Sequence, residues 1–168
     1  MKACEIFRQI SPALGSEIIR YLKSDLKEVY RATVTTLAQQ KKLRPEFIQK
    51  KPGEQQIAWI LDALRFKTTE AVGEQVLQVW LMKAQGPMLV TFLDALEIPH
   101  DGNGGIDGEI PKDFDTAKVK SAVTTLLDQH PAENASVYLH IFQLQQPGGW
   151  PSLTAAMEAD PRIKLGAE

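Results

Sequence analysis

Between its glycines and prolines the chain repeats apolar residues at intervals of three and four, which is the period of an α-helix. From Ser16 to Leu43 neither Gly nor Pro intervenes, and Ile18, Leu22, Leu26, Val29, Thr33 and Leu37 form a stripe one turn apart. That stripe predicts one long helix, or two with a break near Ser24-Asp25. Ile57, Ile60, Leu61 and Leu64 make a second stripe, and Val72, Val76, Val79, Trp80 and Lys83 a third. After Gly86-Pro87, where a first helical turn tolerates proline, Leu89, Phe92, Leu93 and Leu96 share one face. Three more groups follow: Val119, Val123, Leu126 and Leu127; Val137, Tyr138, Ile141 and Phe142; Leu153, Ala156 and Met157. Strand alternation is scarce, so the predicted fold class is all-α.

The stripes also match one another. At an offset of 62, Ile57 pairs with Val119, Leu61 with Val123, Leu64 with Leu126, Val76 with Tyr138, and Trp80 with Phe142. One inserted residue later, Phe92 pairs with Leu153 and Leu96 with Met157. Ile18 to Leu22 joins the pattern more weakly, and Trp59 falls on Ser121, against it. The expectation is one domain over 1–168, built from units at about 1–52, 53–98 and 115–168. Such units would stack as in an α-solenoid, where no unit buries its apolar face alone.

An acidic, glycine-rich loop at 99–114 separates the last two units. Asp101, Asn103, Gly104, Ile106 and Asp107 fall on the third, fifth, sixth, eighth and ninth positions of a calcium-binding EF-hand loop. Pro99 and Ile110 stand where the first carboxylate and the closing glutamate belong. Asp101, Asn103 and Asp107 are therefore a partial ligand set, and the simpler reading is a turn-rich connector bent at Asn103-Gly104. Gly102, Gly104 and Gly108 lack the spacing of a phosphate-binding fingerprint, and Asp101, Asp107 and Glu109 would repel a phosphate.

Composition narrows the class. The 168 residues are 43% apolar and 24% charged, enough to bury roughly 70% of the unfolded surface, which excludes a disordered tail protein. Cys4 is the only cysteine, so there is no disulfide framework. Charged residues interrupt the N-terminus where a signal peptide would be apolar, and no stretch reaches the length of a membrane span. The expected setting is soluble and cytoplasmic, with no membrane partner.

The net charge of −2 hides an asymmetry. Residues 1–52 carry eleven Lys and Arg against five Asp and Glu, whereas the rest carries eight against sixteen. Lys41, Lys42, Arg44, Lys50 and Lys51 form the densest basic patch, with Phe47 and Ile48 between them and only Glu46 opposing. Phosphates or an acidic partner would suit it, but cations at a helix C-terminus are often simply solvated. Nucleic acid is disfavoured because Phe47 is the patch's only aromatic. The expected role is a connector whose cations meet carboxylates on the protein itself or on a second copy, basic end to acidic end.

Catalysis finds no residue set. His100, His130 and His140 include no i, i+4 pair for a metal, and no Gly-x-Ser-x-Gly is present. Trp59 and Trp80 sit on core stripes. Trp150, in a turn before a helix, either staples that helix or anchors a partner. The sequence thus reads as a small helical-repeat module that binds a protein or peptide, without a cofactor, through Trp150 and the basic patch. The alternatives are an enzyme or ligand-binding helical domain, and nucleic-acid binding through 41–51.

Overall fold

A computed structural model describes residues 1–109 and 111–166. Ten α-helices account for the fold among them: α1 Ala3–Gln9, α2 Pro12–Asp25, α3 Lys27–Gln40, α4 Pro45–Gln49, α5 Gly53–Leu64, α6 Glu70–Ala84, α7 Gly86–Ala95, α8 Thr116–Gln129, α9 Ala132–Gln145 and α10 Pro151–Ala159. No strand occurs among the described residues, where pairing is limited to an isolated antiparallel bridge between His100 and Ile106. The fold is all-α, with successive helices packed on one another. No single helix among the described residues is long and apolar enough to cross a membrane.

The helices form two compact units, Lys2–Trp80 and Leu81–Leu165, the division falling inside α6. In the first, the long apolar stripe is cut at Leu26, whose φ of −129° and ψ of 57° end α2 and begin α3. Ser11 starts α2 by accepting the Leu14 N–H at 3.2 Å, with Pro12 in the first turn. α2 packs on α3 and α5, and α5 also meets α1, α3 and α4. Gly15 lets α2 approach closely, since a Cβ there would stand 3.2 Å from Leu61 Cδ2. Ile18, Leu22, Val34, Leu37, Ile48, Ile60, Leu64 and Trp80 are fully buried. Trp59, expected in the core, is only half-buried, because it lies at the edge of the α5 stripe.

α1 is anchored from outside its own turn. The Glu70 carboxylate, at the start of α6, accepts the N–H of Ala3 at 2.7 Å and of Cys4 at 2.9 Å. Burial opposes ionisation of Glu70, but these N–H groups and the Cys4 thiol outweigh it and hold its carboxyl below the usual range. Burial, helped by the same carboxylate, pushes the Cys4 thiol upward, away from the thiolate a nucleophile needs.

In the second unit α8 packs against α7, α9 and α10. Phe92, Tyr138, Phe142, Trp150 and Phe114 meet edge to face with ring centroids 5.0 to 6.0 Å apart. Trp80 and Phe142, paired by the offset, are both buried. The packing partners of α5 and α8 nevertheless differ: α5 meets α1, α2, α3 and α4, and α8 meets α7, α9 and α10.

Candidate functional site

The acidic loop is built from its own turns. The Asp101 carboxylate accepts the N–H of Asn103 at 2.8 Å and of Gly105 at 3.1 Å, and these bonds hold its carboxyl below the usual range. Asp107 N–H reaches the Pro99 carbonyl at 2.9 Å. Gly104 sits at φ 99°, and a Cβ there would lie 2.5 Å from that of Leu89, so the loop closes against α7 where only glycine fits. His100 Nδ1 accepts from Gly102 N–H, which leaves Nε2–H to donate to Asp94 Oδ1 at 2.6 Å. Among the described residues no group of three or more His, Cys, Asp or Glu side chains is placed to hold a metal. Of the partial ligand set Asp101, Asn103 and Asp107, Asp101 serves the backbone of its own turn, and Ile110, at the place of the closing glutamate, lies outside the described residues.

Three further acids of this region hold the structure. Asp113 reaches the start of α10, accepting the Ser152 N–H at 3.1 Å and the Ser152 hydroxyl. Asp115 caps α8 through Lys118 N–H at 3.0 Å, and Glu97 pairs with Lys118 Nζ at 2.7 Å. Farther on, Arg162 bridges Asp128 and Asp160.

Trp150, expected either to staple α10 or to anchor a partner, is covered by its own chain. It is 3% exposed, its ring is packed edge-on against Phe142 and Phe114, and its N–H and C=O are both bound to the Gln143 side chain. The indole staples α10 to α9. The histidines take separate places: His100 with Asp94, His130 Nε2 at 2.9 Å from Thr91 Oγ1, and His140 half-buried within α9. Burial holds the His140 imidazole down at about 4, and the amino-terminal charge acts in the same direction.

What remains at the surface is the basic segment. α3 and α5 run parallel: Tyr30 and Gln56 meet near their starts, and Lys41 meets Phe66 just past their ends. The chain from Lys41 to Pro52 therefore runs back along the pair as a strap, with α4 in its middle and Ile48 as its buried peg. Gln56 fixes the strap from beneath. Its Oε1 accepts from Tyr30 Oη at 2.6 Å, and its Nε2 donates to the Gln49 carbonyl at 3.0 Å and the Lys51 carbonyl at 2.8 Å.

Lys41, Lys42, Arg44 and Lys50 are exposed and Lys51 half-exposed. None of the five pairs with a carboxylate among the described residues, so the expected ion pairs within the protein are not formed. Lysines cover aromatic rings instead: Lys51 Nζ is 4.9 Å from the Phe47 centroid and Lys41 Nζ 3.9 Å from that of Phe66. Phe47 is 57% exposed, Phe66 45% and Leu43 38%, so apolar surface interleaves with the cations. Sequence reasoning missed Phe66, which lies well outside the window and joins it only because α3 and α5 are parallel.

Comparison with protein-family models, curated proteins and solved structures returned no match.

Proposed function

We propose that the chain is a non-catalytic helical interaction module that binds a protein or peptide in a reducing, cytoplasmic setting. The supporting observation is the strap: five cations without an internal carboxylate partner among the described residues, interleaved with exposed Leu43, Phe47 and Phe66. Scattered apolar side chains are ordinary on a surface, but large ones concentrated with unpaired cations suit recognition. Stacking of three helical units, at about 1–52, 53–98 and 115–168, belongs to the same proposal and would supply the rigid support.

A second reading, nucleic acid, gains from the structure one aromatic, Phe66, beside Phe47. Affinity capture from the native host, with nuclease treatment, separates the two. A protein retained after nuclease supports the module; recovery of nucleic acid alone, or of nothing, overturns it.

A further inference from the structure

We infer that the strap from Lys41 to Lys51 is the docking site for a short acidic segment carrying aromatic or aliphatic side chains; this rests on the module reading above. Charge complementarity gives the first argument. The cations of the strap are unpaired among the described residues, whereas Asp94, Glu97, Asp113, Asp115, Asp128 and Asp160 are each already bound to a histidine, a cation or a helix start. Those six carboxylates are therefore already taken up in a second copy, and an external acidic segment is the occupant inferred, with self-association left to the test.

The rings decide between classes of anion. An ammonium lies over a face of Phe47 and of Phe66, which masks that face against a stacked base. A peptide carboxylate draws the lysine aside while its apolar neighbour meets the ring. Extended polyanions also meet the net charge of −2, whereas a short peptide meets only the local cations.

Shape and rigidity agree. The strap runs beside α5, whose twelve residues span about 18 Å, and an extended peptide of about six residues covers that length. Gln56 holds the strap's carbonyls, so little order has to be imposed on binding. Lys42 keeps a left-handed φ of 56°, where glycine would be less strained, placing a cation at the turn.

The test is fluorescence anisotropy at about 150 mM salt, where only close charges act strongly. The probe is a labelled peptide of Asp and Glu interspersed with Phe and Leu. Controls are the same peptide with Ser for Phe and Leu, a single-stranded oligonucleotide, and vesicles containing phosphatidylserine. Expected is saturable binding of the apolar acidic peptide, about tenfold tighter than its serine control.

Replacing the cations (Lys41→Gln, Lys42→Gly, Arg44→Gln, Lys50→Gln, Lys51→Gln) should weaken binding at least tenfold, with helicity retained by circular dichroism. Phe47→Ser should erase the advantage over the serine control. Unchanged binding by these variants, no saturable binding, tighter binding to oligonucleotide or vesicles, or self-association that the cation variants abolish would each overturn the assignment. Capturing the same host protein with wild type and cation variants then shows that only the docking site has failed. Capturing none with wild type shows that the module reading has failed as well.

Discussion

Tyr30 Oη donates to Gln56 Oε1 at 2.6 Å, and through that amide a hydroxyl on α3 fixes the path of the strap ahead of α5. Gln56 is 9% exposed, so the three groups bonded to its side chain have little water to fall back on. Gln56→Leu should cost about 3 kcal/mol, because it leaves the Gln49 and Lys51 carbonyls and the Tyr30 hydroxyl unpaired. Tyr30→Phe removes one bond and should cost about 1 kcal/mol. Urea denaturation checks both; equal, small losses would show that water already satisfies the strap.

Lys42 and Glu97 occupy equivalent positions just past α3 and α7, at φ 56° and 57°. In both, the following residue's N–H returns to the last turn: Leu43 to the Ala38 carbonyl at 2.8 Å and Ile98 to the Leu93 carbonyl at 2.9 Å. Glycine takes this conformation without strain, so Lys42→Gly should stabilise the protein by about 1 kcal/mol. Glu97→Gly should gain less, since it also gives up the ion pair with Lys118. A melting temperature that falls for Lys42→Gly would mean that the lysine stem packs on the fold.

The all-α class was legible because apolar positions recur at helical spacing; the longest stripe, expected to break near Ser24-Asp25 if at all, breaks at Leu26, itself one of its members. Periodicity could not reveal Trp59's partial exposure, since a stripe fixes a face and not how far its neighbours extend over the edge. Trp150 was ambiguous for a related reason: only the meeting of Phe142, Phe114 and Gln143 from elsewhere in the chain covers the indole. The five strap cations could be read directly. Phe66 could not, because it enters through the parallel pairing of α3 and α5, a tertiary fact. In the acidic loop Asp101 holds a turn and Asp113 and Asp115 hold helix starts, roles that draw on the same residue types as a ligand set.

Trp80 is wholly buried in α6, so Trp80→Ala should open a cavity and cost about 3 to 5 kcal/mol. Denaturant midpoints with an unchanged m-value would attribute the loss to packing.

His140 supplies a pH signature. Its folded pKa of about 4 lies below the ordinary value of about 6.5, so the fold favours the neutral ring. Stability from this source is complete above about 6.5 and drains away as pH falls toward 4, because the unfolded chain takes up the proton first. Wild type should therefore lose more melting temperature between those pH values than His140→Gln, in which the proton has no site. Parallel curves for the two proteins would place the imidazole in water.

Asp113 and Ser152 give the last prediction. The carboxylate accepts both the backbone N–H and the hydroxyl of Ser152 in the first turn of α10, where the helix's own donors are unpaired and its dipole favours negative charge. Trp150, immediately before that turn, is held from the other side by Gln143. Asp113→Ala should cost about 1 to 2 kcal/mol, the usual loss of a helix cap. Asp113→Asn should retain much of this, since its amide oxygen still accepts and only the charge is gone. The loss should be local, so amide exchange should quicken in α10 while α2 and α5 keep their protection. Uniform loosening of both units would instead make the contact part of global stability, and unchanged exchange in α10 would show that the cap does not hold in solution.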